Sequence, residues 1–199
     1  MEFHINRDPL LKALTRIQTV VERRNTMPIL GNALLETGEG ILTISATDLE
    51  VSVRTTCEAE IANSGSLAVN AKTLFDIVRE LPDGSIHIRG ESSDRMRLVS
   101  GRSRFDLAGY PGSAFPEIPE AKGEKRYTFE RSMLADMLSK THFAMSYDDS
   151  RFTLNGIFLQ MTPTTEEGEP AKVRMVATDT HRLAMIEKNM DSDDVTEEM

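Results

Sequence analysis

Two sets of side chains in this 199-residue chain could do chemistry. The first combines hydroxyl, carboxylate and imidazole groups: His142, Asp148 and Ser150, or Asp179 with His181, have the residue types of a hydrolytic centre. Nothing around them completes one. There are no nucleophile-elbow glycines, no glycine-rich phosphate loop, and no metal-ligand spacing among His4, His87, His142 and His181. The expectation is a non-catalytic protein without metal or cofactor. The second set is basic. From Arg7 to Arg24 the chain carries five cations (Arg7, Lys12, Arg16, Arg23, Arg24) against two anions (Asp8, Glu22), a local excess of three in a protein of formal charge −9. Exposed cations at helical spacing suit a phosphate backbone, although a solvated helix face has the same composition. The overall charge argues against indiscriminate nucleic-acid binding and leaves a local basic surface open.

The elements that would position these cations follow from periodicity. Leu10, Leu11, Leu14, Ile17, Val20 and Val21 form a helical stripe, with Asp8 and Pro9 as N-cap and first-turn residue, predicting a helix to about Val21 with Lys12 and Arg16 off the stripe. Leu74, Ile77, Val78 and Leu81 predict a second helix over 71–81, on which Lys72 and Arg79, seven apart, share a face. Strands are predicted at 3–6, 32–36, 41–47, 50–56, 67–70, 86–89, 96–100 and 103–108, with 58–66 as a connecting segment. The first 120 residues thus read strand, helix and three strands, twice over.

A longer repeat overlies this one. Phe3 to Leu14 aligns with Tyr127 to Leu138 at an offset of 124, and Leu30–Glu36 with Leu154–Gln160 at the same offset. Ala46-Thr-Asp48 returns as Ala177-Thr-Asp179 at an offset of 131, so seven residues are inserted, placed in the polar run 162–172. In both copies a short Asp turns one strand into the next. A third helix is predicted from about Ser132 to Met145, with Met133, Leu134, Met137, Leu138 and Thr141 inward and Arg131, Lys140 and His142 outward. Strands follow at 152–161, 173–178 and 181–186, and the acidic 189–199 segment reads as disordered. The domains expected are residues 1–120, complete, and 127–199, the N-terminal half of a second; the chain reads as part of something longer. No apolar run reaches membrane-spanning length, and Cys57, the sole cysteine, permits no internal disulfide. A cytoplasmic location is expected.

Phe3, Leu10-Leu-Lys12, Pro28-Ile-Leu-Gly-Asn32, Thr47-Asp-Leu-Glu50, Gly101-Arg-Ser-Arg-Phe105, Leu154-Asn-Gly156, Ala177-Thr-Asp179 and His181-Arg-Leu183 together resemble the bacterial sliding clamps, the beta subunits of DNA polymerase III. The resemblance implies an α+β DNA clamp fold with antiparallel sheets outside and helices lining a central hole. It implies a head-to-tail homodimeric ring of three domains per subunit, the third not represented in these residues, that encircles duplex DNA and confers processivity on the DNA-directed DNA polymerase. Lys12, Arg16, Arg23, Arg24, Lys72, Arg79, Arg131 and Lys140 would line the hole, Arg24 matching a position that touches DNA. Asp148 and Asp149 stand where the family can have a neutral polar side chain, which is unfavourable for a phosphate contact. Leu154, Thr178, Thr180, His181, Arg182 and Leu183 would form one wall of a pocket for linear peptides of the replicative polymerase, clamp loader and repair polymerases. Thr180 occupies a position where glycine is common. Phe105 and Leu107, with Arg102 and Arg104, would belong to the subunit edge. The alternative reading is a short peptide-binding module that does not encircle DNA.

Overall fold

The computed structural model describes residues 1–21, 27–119, 125–162, 171–190 and the backbone of 195–197. The chain divides into two compact units, Met1–Glu120 and Ala121–Met199.

In the first unit β1 (Glu2–Asn6), α1 (Arg7–Ile17), β2 (Asn32–Gly38), β3 (Ile41–Thr47), β4 (Ser52–Glu58) and β5 (Glu60–Asn63) are followed by β6 (Gly65–Asn70), α2 (Ala71–Glu80), β7 (Ser85–Ser92), β8 (Arg95–Ser100) and β9 (Ser103–Pro111). The strands run β4-β3-β2-β6-β9-β8-β7-β1-β5, all neighbours antiparallel. The two internal copies therefore exchange their first strands: β6 pairs with β2 of the first copy, and β1 pairs with β7 of the second. Alternation explains the sidedness. Phe3 and Ile5, Leu42 and Ile44, Ile86 and Ile88, and Met96 and Leu98 point to one face, where Leu10, Leu14 and Ile17 of α1 and Leu74 and Val78 of α2 meet them; all are 3% exposed or less. Each such side chain contributes roughly 1.5–3 kcal/mol of burial.

Three local expectations need correction here. α1 starts at Arg7, with Asn6 at the N-cap position making no side-chain cap bond, so Asp8 and Pro9 lie inside the first turn. It stops at Ile17, where the Thr19 hydroxyl donates to the Arg16 carbonyl at 3.0 Å and the amides of Val20 and Val21 both close on the Ile17 carbonyl at 3.1 and 3.2 Å, which still buries Val20. The supposed connector 58–66 contains β5, a short edge strand that pairs with β1.

In the second unit β10 (Lys125–Tyr127), α3 (Arg131–Ser139), β11 (Phe158–Thr162), β12 (Lys172–Thr178), β13 (Leu183–Asn189) and β14 (Val195–Glu197) form a β11-β12-β13 sheet and a β10-β14 pair. The core holds Met137, Val173, Met175 and Met190, with Phe129, Met133, Leu134 and Ile186 packed against it. Leu138, expected inward, is 40% exposed. α3 ends at Ser139 rather than Met145, because Thr141 turns back and donates its hydroxyl to the Met137 carbonyl at 2.8 Å; a 3-10 turn, His142–Ala144, follows. Residues 152–154, expected as the start of a strand over 152–161, belong instead to the 3-10 segment Asp149–Leu154, the counterpart of the Pro28–Gly31 turn in the first unit. Within the acidic tail Val195–Glu197 pairs with β10 much as β5 pairs with β1, whereas 191–194 and 198–199 lie outside the described residues. Most of the 162–172 insertion lies outside them as well.

Candidate functional site

α1 and α2 pack antiparallel, as the bonds at their ends show. The Arg7 guanidinium donates to the Val78 carbonyl at 3.1 Å and the Arg79 carbonyl at 2.7 Å, a cation at the negative end of α2. At the other end Gln18 Nε2 donates to the Ala71 carbonyl at 3.1 Å. Arg7 is further held by Asp8 and Asp83, so this cation is structural. Lys12, Arg16, Lys72 and Arg79 all lie on the exposed side. Their charges are unequally available. Arg79 is paired with Asp76 at 3.4 Å and Glu80 at 3.0 Å and lies over the Phe75 ring, and Arg16 donates to the Thr55 hydroxyl at 3.3 Å. Lys12 and Lys72 have no ion pair among the described residues. Arg23 and Arg24 lie outside those residues.

On α3 the two expected cations differ in setting. Arg131 is exposed in the first turn, where the helix dipole opposes a positive charge. Lys140, nine positions on and half a turn around the axis, is bound to Asp136 Oδ1 at 3.0 Å. Asp136 also takes Lys188 at 2.8 Å, and these two ammonium groups, Lys188 first, hold its carboxyl below the usual range.

The two Ala-Thr-Asp turns have the same construction. Asp48 Oδ1 accepts from the amides of Glu50 (2.9 Å) and Val51 (2.6 Å); Asp179 Oδ1 accepts from those of His181 (3.0 Å) and Arg182 (2.9 Å). The preceding Thr hydroxyl donates to the Val51 carbonyl in one copy and to Arg182's in the other, at 3.1 and 2.7 Å. The residue after Asp takes positive φ in both, Leu49 at 80° and Thr180 at 78°. The Asp carboxyls lie below their ordinary pKa, chiefly through the amides of Val51 and Arg182. Neither turn is catalytic in form. His181 meets Asp179 only through its amide, and His142 donates through Nδ1 to the Leu138 carbonyl at 3.0 Å, away from Asp148 and Ser150.

Beside the second turn lies a groove. A cavity of about 340 Å³ is lined by residues 152–158 and by Val176, Ala177 and Thr178, so Leu154 and Thr178 meet across it. Thr178 pairs in register with Leu183, which is 66% exposed at the head of β13; Thr180, His181 and Arg182 form the turn between them. Of the six residues proposed for the pocket wall, Leu154 and Thr178 line the cavity, and Thr180, His181, Arg182 and Leu183 stand at the turn that follows Thr178. Pairing adds Phe158 and Val176, which line the cavity, and Met185 next to them: the three are opposite one another across β11, β12 and β13, with Phe158 and Met185 both 61% exposed. Their signal was the alternation of apolar residues on the outer face of three strands that also supply a core. Arg182, bound to Asp179 at 2.9 Å, lies over the Phe143 ring.

At the edge, residues 103–108 of β9 pair with β8 and 109–111 with β6, leaving the other side of 103–108 without a strand among the described residues. Arg102 and Arg104 are exposed, Phe105 is half-buried and Leu107 is buried in the core of its own unit. The Leu107 side chain is therefore internal, so this position has its backbone to offer at the edge. Among the described residues no group of His, Cys, Asp or Glu could hold a metal, and no helix is long and apolar enough to cross a membrane.

Comparison with known proteins agrees with this architecture. Residues 1–119 match the family described as DNA polymerase III beta subunit, N-terminal domain, and 128–198 match its central domain. The chain is 42% identical over 189 residues to the beta sliding clamp of Caulobacter vibrioides, covering 94% of this chain and 50% of that relative. A crystal structure of the Caulobacter crescentus sliding clamp superposes with a TM-score of 0.89 at 39% identity, over 98% of this chain and 52% of the other. A Bartonella birtlesii sliding clamp bound to griselimycin gives 0.87 at 38% identity, over 96% and 50%. The chain spans about half the length of the curated relatives it matches. With both family matches following the repeat in order, the chain belongs to the DNA polymerase III beta-subunit family.

Proposed function

We propose that this chain serves as part of a non-catalytic sliding clamp, a ring subunit that encircles duplex DNA in the cytoplasm and tethers the replicative polymerase. The observation that carries the reading is the antiparallel α1–α2 pair, which buries its apolar stripes against the sheet and presents Lys12, Arg16 and Lys72 outward in a protein of charge −9. Cations on a helix face meet phosphates without reading bases, which favours sliding over sequence recognition. Arg23, Arg24, Arg79, Arg131 and Lys140 are proposed for the same lining, with Arg79 and Lys140 the weaker members because carboxylates already hold them. The 103–108 edge of β9 is proposed as the subunit interface. The test is topological. Protein loaded on circular duplex DNA is expected to stay bound in high salt and to be released on linearisation; release by salt from the intact circle overturns encirclement.

The groove beside the Thr178–Leu183 turn supports a second, compatible role in docking partner peptides. Exposed Phe158, Leu183 and Met185 offer apolar contact, while Thr178, His181 and Arg182 supply polar groups to orient a backbone. Griselimycin, bound by the Bartonella relative, is proposed as a ligand of this groove. Docking without encirclement is the reading that would stand if the topological test failed.

A further inference from the structure

We infer that Arg151 and Thr180 form a clasp across the mouth of the groove, so that Thr180 is a positioning residue for the bound peptide; the inference rests on the peptide-docking reading above. Arg151 NH1 donates to Thr180 Oγ1 at 3.1 Å. Among the described residues this is the one hydrogen bond between the 146–156 segment and the β12–β13 turn with its flanking strands.

The two ends of that bond adjoin opposite walls. Arg151 lies in the segment that carries Phe152, 80% exposed, and Leu154, both of which line the cavity. Thr180 follows directly on β12, whose Val176, Ala177 and Thr178 form the other wall. Each partner departs from ordinary backbone geometry. Arg151 is the non-helical residue of its 3-10 segment, at φ −113° and ψ 50°, and from there its guanidinium also reaches Asp148 Oδ2 at 3.5 Å. Thr180 is at φ 78°, a region that β-branched residues rarely enter.

The first repeat separates the turn's own needs from the role of the hydroxyl. Leu49 holds the same backbone conformation at φ 80° with an exposed side chain that can accept no hydrogen bond, so the Asp and Thr bonds suffice to make the turn. The Thr180 hydroxyl is therefore surplus to turn formation, and its described partner is Arg151. A wall fixed before binding spares the peptide the cost of ordering it.

The test combines amide hydrogen exchange over residues 149–156 with affinity for griselimycin, using the full chain and its Thr180→Ser, Thr180→Val, Thr180→Gly and Arg151→Gln variants. Thr180→Ser keeps the acceptor and is expected to match the parent in both measurements. Thr180→Val and Arg151→Gln are expected to speed exchange in the segment and weaken griselimycin, each by about threefold to tenfold. Thr180→Gly is expected to do the same while raising the melting temperature, since glycine accepts this φ freely. Stability and affinity then move in opposite directions, which a purely structural role would not produce. Parental exchange in Thr180→Val overturns the clasp. If the parent chain fails to bind griselimycin, the docking reading fails for this ligand, and the exchange comparison still decides the clasp.

Discussion

At the scale of single residues, the two Ala-Thr-Asp turns are the sharpest feature of this chain, because one carboxylate oxygen organises each of them. Asp48 and Asp179 accept two amides apiece, and those bonds are strongest while the carboxylate is charged. Their pKa values are lowered in the folded protein, so the folded state binds these protons less readily than the unfolded chain. Their contribution is thus complete above the unfolded value of about 3.9 and is lost as pH falls through the lower folded value. The double variant Asp48→Asn, Asp179→Asn keeps an acceptor oxygen and removes the titration. It is expected to unfold at lower urea than the parent at pH 7, with the gap narrowing from about pH 4 downward. A gap of constant size between pH 7 and pH 3 would show that geometry, not charge, holds the turns. The same turn explains the position of Thr180: the residue after Asp must take positive φ, a requirement that the repeated motif alone does not disclose.

At the scale of elements, the exchange of first strands makes the β6–β9 junction the place where the two halves of the first sheet are joined. Gly109 permits it. A Cβ there would lie 2.5 Å from the Ala68 carbonyl oxygen and 3.1 Å from Val69 Cγ1, and a backbone oxygen in a central strand cannot move aside cheaply. Gly109→Ala is expected to destabilise the first unit by about 1–3 kcal/mol, seen as a lower urea midpoint with little change in circular dichroism. Gly38→Ala is the control, since a Cβ there meets nothing within 4 Å. Much of this layout could be read from residue order. The stripe of Leu10, Leu14 and Ile17, the alternation through Leu42 and Ile44, and the repeated Thr-Asp pair each mark an element by a local rule. Glu60–Asn63 and Val195–Glu197 were not legible, because edge strands of four and three residues are too short to show a periodicity and exist only through the partner they pair with. The turn beside the groove was legible, and the apolar face next to it was hidden. Phe158, Val176 and Met185 are far apart in the chain and come into line only once the register of β11, β12 and β13 is fixed. The availability of a cation is equally a tertiary fact, as the engagement of Arg79 and Lys140 by neighbouring carboxylates shows.

At the scale of the whole molecule, a net charge of −9 and a role on DNA are compatible only if the cations are segregated. α1 achieves this locally. Arg7 is consumed at the end of α2, leaving Lys12 and Arg16 one turn apart on the exposed face, and Lys72 adds a third cation from α2. Counterion release makes the count measurable, because each phosphate neutralised adds about 0.9 to the slope of log affinity against log salt on duplex DNA. Lys12→Gln, Arg16→Gln and Lys72→Gln together are expected to lower that slope by up to about 3, with no dependence on DNA sequence. Arg79→Gln is expected to change it less than any of the three alone, since Asp76 and Glu80 already compensate that charge. The griselimycin affinity of the triple variant is expected to equal the parent's, because none of these residues lines the groove. An unchanged salt slope in the triple variant would remove α1 and α2 from the proposed DNA-facing surface and leave the proposed peptide groove as the candidate functional face of this chain.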